Sequence, residues 1–197
     1  MDVYPDCLKE LITQFSTLPG IGKKTAERLS IYMLNANKDK IKDFSSSLDN
    51  LKDSIEICKI CFCFIENDIC HICDDVNRDS TLICVVKEPT DIFLIEKSGF
   101  KGKYHVLGGL ISPLDGVTPE SLNIDTLLSR LHDVREIIMG VDPSNEGDIT
   151  MLYLSDILKE NNIKMTRLAR GIPVGSSLEF IDEVTLTHSI NDRIEMK

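Results

Sequence analysis

Four of the chain's seven cysteines form one pattern, C-x2-C-x8-C-x2-C, at Cys58, Cys61, Cys70 and Cys73. Two residues between a pair of thiols let one tight turn aim both sulfurs at one point. A second such turn completes a tetrahedron with Zn–S distances of about 2.3 Å. The spacing therefore predicts one structural Zn2+ with protein on all four sides and no open catalytic position. The gap between the pairs has room for a small hairpin. A segment this short buries no core of its own, so metal binding supplies its folding energy. The competing reading, reduced cysteines at chance spacing, accounts poorly for a doubled C-x-x-C. Cys63 and His71 lie close enough to compete as ligands. Cys63 is two residues from Cys61, a poor spacing for joint chelation, and His71 sits inside a C-x-x-C turn, where it packs or faces solvent. Cys7 and Cys84 read as structural, Cys84 among Ile and Val in an apolar run.

A disulfide scaffold fits less well. Met1 to Glu10 lacks the apolar core of a secretion signal, and the chain is long enough to need no staples. Hydrophobic residues make up 42% of its 197 residues, enough for a core. No apolar run approaches the roughly eighteen residues of a membrane span. The expected location is the cytoplasm, associated with the nucleoid, with no membrane partner.

The formal net charge is −10, unusual for a chain that touches nucleic acid. The charge is uneven, however. Residues 1–44 hold seven Lys/Arg against six Asp/Glu, and residues 45–197 hold fifteen against twenty-six. Phosphate contact, if made, is local and salt-sensitive.

Helical spacing of Leu8, Leu11, Ile12 and Phe15 predicts a first helix, and Ala26, Leu29, Ile31, Met33 and Leu34 a second. A further helix is expected over residues 47–57. Between the first two lies Leu18-Pro19-Gly20-Ile21-Gly22-Lys23-Lys24-Thr25-Ala26. Gly20 and Gly22 permit a turn whose backbone approaches a ligand closely. The amides that then open the second helix form an anion site, and Lys23, Lys24 and Arg28 add positive charge. The alternative is an ordinary helical connection with solvated lysines. The full string resembles the helix-hairpin-helix motif, which grips DNA phosphates without reading sequence.

Beyond the cysteines, apolar runs and helical faces alternate. Strands are expected at residues 82–86, 104–107, 137–139 and 163–169. Helices are expected at 89–97 and around Ile124–Leu131 and Ile149–Ile157. This order predicts a mostly parallel sheet with helices on its faces. Glu88 follows the first strand, and Asp142, Glu146 and Asp148 follow the third. Carboxylates beyond the carboxyl ends of parallel strands face a crevice and bind Mg2+ in many folds. The arrangement resembles the Toprim domain of topoisomerases and primases. In the tail, Glu183-Val184-Thr185-Leu186-Thr187 is β-prone.

Taken in order, these motifs resemble the bacterial recombination mediator family RecR over essentially the whole chain. The most specific strings are Tyr104 to Gly109, Ser112 to Gly116, Pro143 to Gly147, Arg170 to Gly175 and Glu183 to Leu186. The fold expected is a multi-domain α/β chain. It comprises a helix-hairpin-helix region at 1–56, a four-cysteine zinc finger at 57–76, a Toprim domain at 79–174 and a tail at 175–197, a possible oligomerisation element. The resemblance implies a ring-shaped homotetramer, or dimer of dimers, that encircles DNA. It acts with RecO and RecF to load RecA onto single strands coated by single-strand binding protein, at gaps or single-/double-strand junctions. One position departs from the family. Its glutamate directly follows the first strand's Val-Val; here that place holds Lys87, with Glu88 next. Glu88 substitutes only if the strand has already ended, and a lysine there repels a divalent cation. The acidic group is thus read as a partner-docking surface or an Mg2+ site.

No Walker A loop or Ser/His/Asp arrangement is present. Tyr32, Tyr104 and Tyr153 fall on helix or strand patterns and read as core or boundary residues. His105 and His132 read as structural. The leading expectation is a non-enzymatic DNA scaffold. The alternative is a metal-dependent Toprim nuclease, primase or RNA-processing enzyme using Glu88, Asp142, Glu146 and Asp148.

Overall fold

The computed structural model describes residues 3–159 and 161–195. Met1, Asp2, Met196 and Lys197, which belong to the first and last expected segments, lie outside the described residues. The chain divides into two compact units, Met1–Ile55 and Glu56–Lys197.

The first unit is helical. α1 (Asp6–Ser16) buries Ile12, with Leu8, Leu11 and Phe15 half-buried, as their spacing predicts. α2 (Lys23–Leu34) buries Ala26 and Ser30 completely. These two small residues, one turn apart, let α1 and α2 pack closely. α3 runs from Lys38 to Ser54, nine residues earlier than the expected start at Ser47. Asn37 fixes its start by accepting a hydrogen bond from the Lys40 amide at 2.8 Å. No residue of α3 is buried, yet Ile41, Phe44, Leu48 and Leu51 recur at three- and four-residue spacing, a helical signal that the expected start at Ser47 leaves out. Its end also differs: residues 55–57 form β1 (Ile55–Ile57) instead of a last turn. Cys7 on α1 is exposed, against the expectation of a structural role; its neighbours in the helix do not bring it to the buried stripe around Ile12.

β1, whose first residue ends the first unit, pairs with β2 (Phe64–Glu66) as a small ribbon. Next come β3 (Asp79–Val86), α4 (Pro89–Glu96), β4 (Gly102–Val106), α5 (Ile124–Ser129), β5 (Glu136–Met139), α6 (Asn145–Lys159) and β6 (Lys164–Arg167). The four-stranded sheet has order β4-β3-β5-β6, and all three pairings are parallel. β3 is central. Its side chains alternate between faces: Ile83 and Val85 join a core with Leu107, Ile124, Leu127, Ile137 and Leu154. Cys84 and Val86 face a second core with Ile92, Tyr104, Val106 and the cysteine segment. Both faces of β3 are therefore covered, which explains its unbroken apolar run.

The tail corrects the β-prone reading of Glu183 to Thr187. These residues open α7 (Glu183–Asn191). Asp182 accepts from the Thr185 amide at 2.9 Å and from the Thr185 hydroxyl at 2.7 Å. That cap stabilises a helix start by about 1 kcal/mol, enough to override the weak β-preference of Val and Thr. Among the described residues no helix is long and apolar enough to cross a membrane.

Candidate metal centre and nucleic-acid interface

The sulfurs of Cys58, Cys61, Cys70 and Cys73 all lie within 4.8 Å of one another. Each C-x-x-C pair is a turn closed on its first cysteine. The Ile60 amide donates to Cys58 Sγ at 3.4 Å, and the Cys73 amide to Cys70 Sγ at 3.3 Å. The gap between pairs is the expected hairpin. Asn67 and Asp68 both take positive φ, 55° and 60°, and the Ile69 amide returns to the Glu66 carbonyl at 3.2 Å.

The donor set fits Zn2+. Sulfur separations of 3.5 Å (Cys61–Cys70) and 4.0 Å (Cys58–Cys73) bracket the roughly 3.8 Å edge of a tetrahedron with Zn–S bonds of about 2.3 Å. The thiols also need a cation if all are to ionise together. At Cys58, burial opposes ionisation, but the Cys61 and Ile60 amides outweigh it and bring the thiol down to about 7. Cys61 and Cys73 are pushed up instead, Cys61 chiefly by its hydrogen bond with Cys63 and Cys73 chiefly by that with Cys61. Crowded thiols hold their protons until a divalent ion offsets the repulsion. The four cysteines are thus compatible with a zinc site.

The cysteine segment belongs to the same compact unit as the sheet and is joined to it at edge strand β4. The Val106 amide donates to the Cys61 carbonyl at 2.9 Å, extending the β4 edge onto the first turn. The Lys103 ammonium donates to the carbonyls of Ile72, Cys73 and Asp75 at 2.9, 3.0 and 2.8 Å, holding the second turn. The Arg130 guanidinium reaches the Ile60 and Tyr104 carbonyls at 3.2 and 3.0 Å and His105 Nδ1 at 2.9 Å. His105 Nε2 lies 2.7 Å from the Asn123 carbonyl. With guanidinium on Nδ1 and a carbonyl on Nε2, the ring is neutral with its proton on Nε2. Burial lowers its pKa to about 4. His105 is structural, as expected, and so is Tyr104, whose hydroxyl donates to Glu96 at 2.7 Å.

In the first unit, Gly20 takes φ +78°, a conformation that side chains rarely adopt. The Ile21 amide closes the turn on the Leu18 carbonyl at 3.0 Å. Gly22 is the N-cap of α2. No side chain caps this helix, and its first turn contains no acid. Lys23, Lys24 and Arg28 are exposed. A methyl group built on Gly22 meets nothing within 4 Å, so the chain itself does not require glycine there.

Two of the acidic residues beyond the strands, Glu88 and Asp148, have partners of their own. β3 ends at Val86, so Glu88 is past the strand, where it caps α4 in a reciprocal pair with Asp91. Lys87 Nζ lies 3.1 Å from Glu88 Oε1. The Lys87 pKa is raised, first by that hydrogen bond, with the charges of Glu88, Asp142 and Asp91 adding. Asp148 is paired with Arg170, which lowers its pKa. Among the described residues, the four cysteines are the group of His, Cys, Asp and Glu ligands that converge on one point. Glu88, Asp142, Glu146 and Asp148 are not among the groups that converge in this way. Lys87 supplies positive charge there.

Sequence reasoning missed Lys103 and Arg130, which lie in no motif; their partners are carbonyls distant in the chain. It also set Cys63 aside as poorly spaced, yet its sulfur is 3.2 Å from that of Cys61.

Three family models match the chain. One described as RecR, helix-hairpin-helix, covers residues 8–52, and a Toprim domain covers residues 81–169. One described as RecR, C-terminal, covers residues 171–194.

Proposed function

Because the chain belongs to the RecR family of DNA repair and recombination, we propose that it is a non-enzymatic scaffold that holds DNA for a recombinase. The observation that carries this is the order of matches: RecR-type segments at both ends of one chain flank a Toprim domain. On this reading the protein acts in the cytoplasm as a ring-shaped homotetramer. It works with RecO and RecF to load RecA onto single strands coated by single-strand binding protein.

The phosphate contacts are assigned to Gly20, Gly22, Lys23, Lys24 and Arg28. An uncapped helix start with two lysines and no acid is an anion site. Its amides and ammonium groups meet phosphate oxygens without reading bases. A chain of net charge −10 then binds DNA weakly through each copy. Several copies closed around one duplex raise the effective concentration of each contact. Cys58, Cys61, Cys70 and Cys73 would hold one Zn2+, which supplies folding energy to the segment and no chemistry. The surface of Glu88, Asp142, Glu146 and Asp148 is assigned to docking of a partner such as RecO.

Reversing the charge of Lys23 and Lys24 to Glu tests the DNA assignment. Binding should fall steeply at low salt; unchanged binding would refute it. The Toprim match also permits a metal-dependent enzyme. Labelled DNA or RNA incubated with Mg2+ or Mn2+ should remain intact. Cleavage that disappears in Glu146→Gln would replace the scaffold reading with the enzymatic one.

A further inference from the structure

We propose that Cys63 is a fifth thiol of the metal centre, able to take the place of Cys73 on the bound ion. This rests on the zinc reading of the four-cysteine group and goes beyond it.

The sulfur geometry carries the case. Cys63 Sγ lies 3.2 Å from Cys61 Sγ and 3.5 Å from Cys70 Sγ, while Cys61 and Cys70 are 3.5 Å apart. These three sulfurs form a triangle close in size to one face of a tetrahedral thiolate site, whose edges are about 3.8 Å. The fourth place can then go to a sulfur other than Cys73.

The local backbone explains how a cysteine two residues from Cys61 arrives there. Phe62 takes φ 61°, in the left-handed region, and so folds the chain back. The Cys63 carbonyl then accepts from the Cys58 amide at 2.9 Å, and the Phe62 amide donates to the Cys58 carbonyl at 2.9 Å. The Phe62 ring meets His105 edge-on at 5.5 Å, which holds the turn in place.

Exposure decides which ligand is replaced. Cys58, Cys61, Cys63 and Cys70 are buried, whereas Cys73 is half-exposed. Cys73 is therefore the ligand that a competing metal or chelator reaches first. Zn2+ has no preference among ligand directions arising from its d-electrons. It can accept Cys63 as Cys73 leaves, since Cys63 already stands beside Cys61 and Cys70. The site then keeps four sulfurs throughout and holds its ion when the outer ligand is lost.

The test compares zinc per chain, by elemental analysis after dialysis against a chelator, and the thiolate-to-metal absorption of the Co2+-loaded protein. Wild type serves as the control: if it holds no zinc, the zinc reading itself fails. Given a loaded wild type, Cys73→Ser should keep about one zinc per chain and a four-thiolate Co2+ spectrum, and the Cys63→Ser/Cys73→Ser double variant should lose both. Loss in Cys73→Ser as complete as in the double variant would overturn the proposal. Should Cys73→Ser fail to fold, Cys63→Ser decides, since it retains the four paired cysteines. It should surrender zinc to a chelator several-fold faster than wild type. Release at the wild-type rate would overturn the proposal.

Discussion

Acid should destabilise the second unit through His105, and replacing that histidine should remove much of the effect. The side chain is fully buried. Its neighbours leave no place for a second proton: Arg130 donates to Nδ1 at 2.9 Å, and Nε2–H already serves the Asn123 carbonyl at 2.7 Å. Burial, reinforced by the Arg130 charge, lowers the pKa from 6.5 to about 4. The unfolded residue takes up a proton below about 6.5, while the folded one resists until about 4. Between those values the unfolded state binds more protons, so stability rises with pH and is lost as pH falls through the window. The whole difference is worth about 3 kcal/mol, of which about 2 kcal/mol separates about pH 7 from about pH 5. The assay is urea unfolding at several pH values, with zinc present at fixed concentration, for wild type and His105→Gln. Glutamine keeps a donor and an acceptor but does not titrate. The variant is expected to be less stable at neutral pH, with a pH dependence flatter than wild type by about 2 kcal/mol between those two values. Thiolate protonation at the metal centre affects both proteins and drops out of the comparison. Parallel curves for the two proteins would refute the argument, because His105 would then titrate alike in the folded and unfolded chains.

Two further outcomes follow from the geometry. Lys103→Met keeps the aliphatic stem but removes three charged hydrogen bonds to the second cysteine turn. It should cost about 3 kcal/mol in urea unfolding and speed removal of the metal by a chelator; unaltered unfolding would show that the ammonium is not holding the turn. Gly22→Ala meets no neighbour and should shift stability by less than about 1 kcal/mol. Its methyl would nonetheless stand where a phosphate approaches the backbone, so salt-dependent DNA binding should weaken several-fold with the fold intact; wild-type affinity would exclude close backbone approach at that glycine.

The features read correctly in the sequence are those with local signatures. The doubled C-x-x-C placed four sulfurs together because each pair needs only one turn. The run Leu82 to Val86 marked a strand covered on both faces, and β3 is that strand. What stayed hidden depends on tertiary partners or on caps that override propensity. Asp182 starts a helix where the residue types point to a strand, and Asn37 sets a start nine residues before the expected one. Lys103 and Arg130 bind carbonyls far away in the chain, and no spacing rule announces them. Cys63 lies two residues from Cys61 in the sequence, and only the left-handed Phe62 turn shows that their sulfurs come within 3.2 Å. At the acidic strand ends, the position of Lys87 was legible, but its ion pair with Glu88 and the engagement of Asp148 by Arg170 needed coordinates.

The central claim is that this chain encloses DNA as a closed scaffold instead of acting on it chemically. The most direct measurement is the lifetime of the full-length protein on covalently closed circular DNA and on the same molecule cut once, at matched salt. A ring that encircles DNA should persist on circles and slide off the free ends of the linear form. Equal lifetimes on both would contradict the account and leave only ordinary surface binding.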